Sequence, residues 1–181
     1  MKKIMFNDKY GLTQAVLEGR KTQTRRTFLK PGEESLLHGM TPEYLISVKS
    51  RYKVGETIAI AQPYADITPQ VDWVKCMIRK ETLGWNNKMF VRAEDMPHHI
   101  RITKIRIERL QYIKSEDCLN EGIWRAGDVG FEGTTYWYHG LANSSFRTPQ
   151  DAYASLIDRI SGKGTWASNP YVFVYDFELI N

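Results

Sequence analysis

The sequence predicts an α+β fold, a small mixed β-barrel with short peripheral helices and long loop insertions. Three observations carry this reading. Period-two alternation of apolar residues marks several strands, most clearly over residues 171–179. Helical spacing and capping signals mark only three short segments. Strands and helices do not alternate regularly, as they would in a doubly wound sheet. The 181 residues suit one domain, residues 1–181, with insertions around 62–99 and 124–147.

Composition bounds the class. Hydrophobic residues at 42% and charged residues at 25% are ordinary for a soluble globular chain. The longest apolar runs fall far short of the about 20 residues of a membrane span. Lys2-Lys3, Ile4–Phe6 and Asn7-Asp8 are too short and too polar for a signal peptide, so a cytoplasmic protein is expected. Two cysteines, Cys76 and Cys118, make no disulfide framework, and adjacent His98-His99 cannot share a site from a regular helix. No residue pattern asks for a metal or a cofactor.

Along the chain, Lys2–Phe6 reads as a strand. Asn7 or Asp8 then caps a helix whose Leu12, Ala15 and Val16 share a face, and Gly19 ends it. Residues 20–26 read as a basic loop and 30–53 as an irregular connection. Val54-Gly55-Glu56 turns into a buried strand, Thr57–Ala61. Residues 62–99, with Pro63, Pro69 and Pro97, read as one or two hairpins containing Val74–Ile78 and Met89–Val91. Ile100–Leu110 is a strand whose alternation changes phase near Thr103-Lys104, as a bulge would make it. Ser115 caps a short helix, with Glu116 and Asp117 in its first turn and Gly122 at its end. Gly127–Gly140 is an excursion loop. Thr148-Pro149 opens a third helix with Tyr153, Leu156, Ile157 and Ile160 on one face, closed by Gly162. Tyr171, Phe173, Tyr175, Phe177 and Leu179 form the apolar face of the last strand.

A net charge of +4 is concentrated rather than spread. Four of the 25 Lys and Arg residues, Arg20, Lys21, Arg25 and Arg26, fall within Glu18–Arg26, which points to a local anion site. A cationic run after a helix also simply offsets the helix dipole and stays solvated. Aromatic faces stack on unpaired bases for about 1–3 kcal/mol each. Tyr136-Trp137-Tyr138 and Trp124-Arg125 are the candidates for such a wall, against packing under loops.

Gly19-Arg20-Lys21-Thr22-x-Thr24-x-Arg26 after an N-terminal helix resembles the signature of the ASCH family, whose fold is a PUA-like β-barrel. Val54-Gly55-Glu56, Ile105–Leu110, Ser115–Ile123 and Asn169–Phe177 resemble further segments of its phage-type members, in the same order. The resemblance implies RNA or a modified nucleoside or nucleotide as partner, with no membrane involved. One bacterial group of the family hydrolyses N4-acetylcytidine with a Lys and a Thr of the signature and a Glu on a later helix. On this chain these match Lys21, Thr24 and Glu121, with Glu116 as rival.

The chemistry can be reasoned separately. Thr24 is a nucleophile only if Lys21 is neutral enough to take its proton, which needs burial or cationic neighbours such as Arg20, Arg25 and Arg26. Glu121 then activates water or passes a proton to the leaving amine, and Arg26 holds a phosphate, carboxylate or base edge. Each residue has a plainer role: Lys21 as a phosphate-binding point charge, Thr24 bonded to its own loop, Glu121 solvated or paired with an arginine. Three functions follow: nucleic-acid or modified-nucleotide binding, with RNA favoured; an amidohydrolase acting on acylated nucleosides; and a phage accessory protein that binds a host protein through its inserted loops.

Overall fold

The computed structural model describes residues 1–29, 35, 37–67, 82–127, 133–141 and 145–180, and the fold is a mixed α+β arrangement. A five-stranded sheet organises it. Strand β1 (Lys2–Ile4) runs parallel to β3 (Thr57–Ile60), which pairs antiparallel with β4 (His99–Arg109). Strand β4 pairs antiparallel with β7 (Tyr171–Ile180), and β7 with β2 (Gln23–Thr27). The spatial order is β1-β3-β4-β7-β2, so both edge strands come from the first 27 residues. A separate ribbon joins β5 (Trp124–Ala126) to β6 (Thr135–Trp137).

The long β4–β7 ladder is the spine of the fold. Its register shifts between Ile102 and Lys104, at the bulge that the phase change in the sequence anticipates. In β7 the residues Val172–Tyr175 are all buried, so the strand is covered on both faces, whereas alternation predicts one. A central strand with Val on one face and Phe or Tyr on the other can be packed from both sides. Phe28 lies against Phe173 with ring centroids 4.1 Å apart, and Tyr52 meets Tyr175 edge-on at 5.2 Å.

Six helices are described, rather than three. Helix α1 (Leu12–Leu17) starts from Gly11, whose φ of +64° glycine adopts without strain. Asn7 and Asp8, the expected caps, instead introduce a 3-10 turn over Asp8–Tyr10, and the Asp8 carboxylate accepts from the Thr13 hydroxyl. Helix α2 (Pro42–Lys49) lies within the stretch expected to be irregular. Thr41 caps it by accepting from Tyr44 N, and Pro42 occupies its first turn; with only Leu45 buried, it has no apolar stripe to announce it.

The 62–99 region holds no strand among its described residues before β4 begins at His99. It forms α3 (Tyr64–Ile67) and two 3-10 turns, Lys88–Phe90 and Ala93–Asp95, around a small cluster of Tyr64, Ile67, Val91 and Met96. The Asn87 side chain accepts from Met89 N, which satisfies locally a donor that a ladder would have used. Val74–Ile78, Cys76 and Trp73 lie outside the described residues.

Helix α4 (Ser115–Asn120) begins at its expected cap, one residue earlier than predicted. Lys114 is the cap residue, and the Ser115 hydroxyl accepts from Gln150 on the next helix. Helix α5 (Pro149–Ser161) starts at Thr148-Pro149 as predicted, with Ala152, Tyr153 and Leu156 buried, and a short α6 (Thr165–Ser168) follows. No helix among the described residues is long and apolar enough to cross a membrane.

Candidate functional site

The basic segment is a strand where a loop was expected. Gly19 adopts φ +71°, and Arg20 N and Lys21 N both donate to Ala15 O at 2.9 Å, closing the end of α1. Thr22 N donates to Asn120 O at 2.9 Å, which ties this turn to the end of α4. The chain then enters β2, and Gln23 and Arg25 face one side of the sheet while Thr24 and Arg26 face the other. Edge pairing against β7 is what turns a polar run into a strand: Gln23–Thr27 align with Asp176–Val172.

Lys21 turns inward and is 2% exposed. Its Nζ donates to Glu121 Oε2 at 2.5 Å, to the Glu121 carbonyl at 2.9 Å and to the Gln23 carbonyl at 2.7 Å. All three ammonium hydrogens are thereby used. Arg25 Nη1 donates to the other oxygen of Glu121 at 3.1 Å, so one carboxylate serves two buried cations. Arg25 also donates to Glu108 at 2.6 Å and to Asp117 at 3.3 Å. Arg106 extends the chain of charges to Asp176 at 2.6 Å and to Glu108 at 3.2 Å. Gln23 ties Asp117 to Asp176.

Burial pushes the Lys21 ammonium below its ordinary value; Glu121 opposes this, and Arg26 and Arg25 add to it. The same burial holds the Tyr153 phenol well above its usual range and pushes the Cys118 thiol up to about 12, so neither is an anion near neutral pH.

Lys21, Thr24, Arg26 and Glu121 line one cleft of about 340 Å³, with Phe6, Leu12, Tyr153 and Leu156 forming its apolar walls. Its size and its mixture of apolar walls with a few convergent polar groups suit a small molecule. The cleft lies between the two edges of the sheet, since Met5–Asn7 follow β1 and Thr24–Thr27 belong to β2.

The local anion site expected from residues 20–26 is largely neutralised. Arg20 pairs with Glu18, Lys21 with Glu121, and Arg25 with Glu108, Asp117 and Glu121. Arg26 alone of the four has no carboxylate partner among the described residues, and it donates to Met5 O at 2.7 Å. Glu116, the rival carboxylate, is exposed. Trp124 and Trp137 stack on each other at 5.2 Å, with the Arg20 guanidinium 3.8 Å from the Trp124 ring. Tyr136 is half-buried against the core, and Tyr138 is fully buried with its hydroxyl on Ser155. Sequence reasoning missed Arg106, Glu108 and Asp176. The available signal was a charge at Asp176 between the apolar neighbours Tyr175 and Phe177. Among the described residues, no group of three or more His, Cys, Asp or Glu side chains is placed to hold a metal ion.

Gly122 fixes the end of α4 beside this cluster. It adopts φ +102°, and a Cβ there would meet Leu12 Cδ2 at 3.1 Å and Lys21 Cδ at 3.7 Å. Gly122→Ala is therefore expected to destabilise the fold by about 1–3 kcal/mol, read from the urea midpoint. An unchanged midpoint would show that the turn relaxes freely.

No family model matches the chain, and no curated protein matches it. A crystal structure of a protein from Enterococcus faecalis V583, of family DUF984, is similar over 99% of this chain and 77% of that one. Sequence identity is 13% and the TM-score is 0.42, values at which neither fold nor function transfers.

Proposed function

We propose that this chain is a PUA-like domain of ASCH type whose cleft binds an acylated nucleoside and hydrolyses its exocyclic amide, as in N4-acetylcytidine. The observation that carries the reading is the buried 2.5 Å contact between Lys21 and Glu121, in a cleft that Thr24 also lines. The barrel is supported by the way the two sheet edges face a common gap, across which Arg26 on β2 reaches the carbonyl of Met5 after β1.

The reaction divides into two steps. Thr24 Oγ attacks the acyl carbon while its proton passes to neutral Lys21 Nζ, and the C–N bond then breaks as Lys21 returns that proton to the leaving amine. Water next attacks the acyl-threonine ester and gives up a proton to Glu121, which passes it to Thr24 Oγ as the ester C–O bond breaks, releasing the carboxylic acid and free Thr24. Arg26 is placed to hold an anionic or carbonyl edge of the ligand. Nucleic-acid binding through a basic groove at residues 20–26 draws less support, because three of the four cations are already paired with carboxylates.

Incubation with N4-acetylcytidine is expected to release cytidine and acetate. The base must be neutral and its ammonium is destabilised by burial, so the rate rises with pH and levels off below the ordinary lysine value of 10.5. A rate that is flat with pH, or no release of cytidine, would overturn the proposal.

A further inference from the structure

A second cleft, of about 410 Å³, adjoins the first along the same gap between the sheet edges. The two share Met5, Arg26 and Thr27, so Arg26 stands on the ridge between them. The second cleft differs sharply in charge. Lys3, Arg26, Lys49 and Arg51 line it, and no acidic side chain does so among the described residues.

None of these four cations has a carboxylate partner among the described residues. Lys3 Nζ donates to the carbonyls of Met89 and Val91, at 2.7 and 2.6 Å. Arg26 donates to a carbonyl, and Arg51 lies over the Tyr52 ring at 5.6 Å. This contrasts with the first cleft, where Glu121 compensates both Lys21 and Arg25. The Lys3 ammonium is held by the carbonyls of Met89 and Val91, which do not line the cleft, but Arg26, Lys49 and Arg51 border it over a floor that includes Tyr52 and give it a positive potential that an anion relieves. Arg forks and Lys point charges together suit phosphate oxygens.

We propose that the second cleft seats the phosphate of the same ligand whose base enters the first, so that the substrate is a nucleotide rather than a free nucleoside. The inference rests on the nucleoside reading of the first cleft. Arg26 then bridges the two halves of the ligand, and Lys49 and Arg51 hold the phosphate from α2 and the turn after it. The phosphate belongs either to a mononucleotide or to an oligonucleotide strand, and these share the same recognition chemistry.

Titration of the full chain at low salt tests this with N4-acetylcytidine, its 5′-monophosphate, and a short single-stranded oligonucleotide carrying one N4-acetylcytidine. The monophosphate is expected to bind about tenfold or more tightly than the nucleoside, a gain that shrinks as salt is raised. In Lys49→Ala/Arg51→Ala the ratio of the two affinities is expected to fall to about one. Both residues are exposed, so the fold tolerates the change. A further gain with the oligonucleotide identifies a strand as the source of the phosphate, and no further gain identifies a mononucleotide. Equal affinity for nucleoside and monophosphate in the unaltered protein overturns the inference and leaves the nucleoside cleft standing. A phosphate gain that survives the double substitution also overturns it. If the nucleoside fails to bind while the monophosphate binds through Lys49 and Arg51, the nucleoside reading fails and the phosphate seat stands.

Discussion

Replacing Glu121 by Ala is expected to cost about 3–5 kcal/mol of stability, the largest effect of any single change at this site. The reason is the double duty of its carboxylate. Lys21 and Arg25 side chains are 1% and 0% exposed, and each donates to one Glu121 oxygen. Removing the carboxylate leaves the Lys21 ammonium with two carbonyl acceptors and no counter-charge. Arg25 fares better, because Glu108 and Asp117 remain beside it. Chemical denaturation measures the loss. Glu121→Gln keeps the shape and removes the charge, so it serves where Ala does not fold. Adding Lys21→Met to Glu121→Gln is expected to recover part of the loss, since the buried cation left without a counter-charge is gone. A loss under about 1 kcal/mol, the range of exposed pairs, would mean that water reaches the contact.

Replacing Lys21 by Ala is expected to lower the turnover of N4-acetylcytidine by about 100- to 10,000-fold, the range for losing a positioned proton acceptor. Product release by chromatography reads this directly. Lys21→Met separates chemistry from packing, because it keeps much of the aliphatic stem against Phe6, over whose ring the ammonium stands at 5.8 Å. Both variants should fail alike and should lose the rising pH limb. Turnover that persists in Lys21→Met would assign the proton transfer to another group and overturn the role given to this lysine.

Two local sequence signals read correctly because a few adjacent residues set the geometry. Thr148-Pro149 starts α5, and the phase change at Thr103-Lys104 marks the bulge in β4. Reading failed where a distant partner decides. Residues 23–27 carry no apolar alternation, and only the free edge of β7 makes them a strand. Helix α2 buries one residue, so its apolar pattern is nearly silent although its Thr-Pro start is as clear as that of α5. At the site, Lys21 and Glu121 were legible as a pair from the family resemblance, and the structure brings them into contact. The charges beneath them were not. Glu108 and Asp176 sit on neighbouring strands, and Asp117 on α4 comes within reach of Arg25 only after β2 has docked. Net charge misled for the same reason, since four clustered cations look like an anion site until their carboxylates are found on other elements.

The position of β2 at the sheet edge has a consequence for the order in which this chain can assemble. Among the described residues its one ladder is with β7, so that pairing cannot form until residues 172–176 exist. During synthesis the signature segment leaves the ribosome before its partner strand and then waits through about 150 residues. Its charges stay in water meanwhile, which suits a segment of Arg, Lys, Thr and Gln better than an apolar strand that would stick to its neighbours. The polarity of this stretch thus serves the nascent chain as well as the finished cleft, and chemical competence arrives together with the last strand.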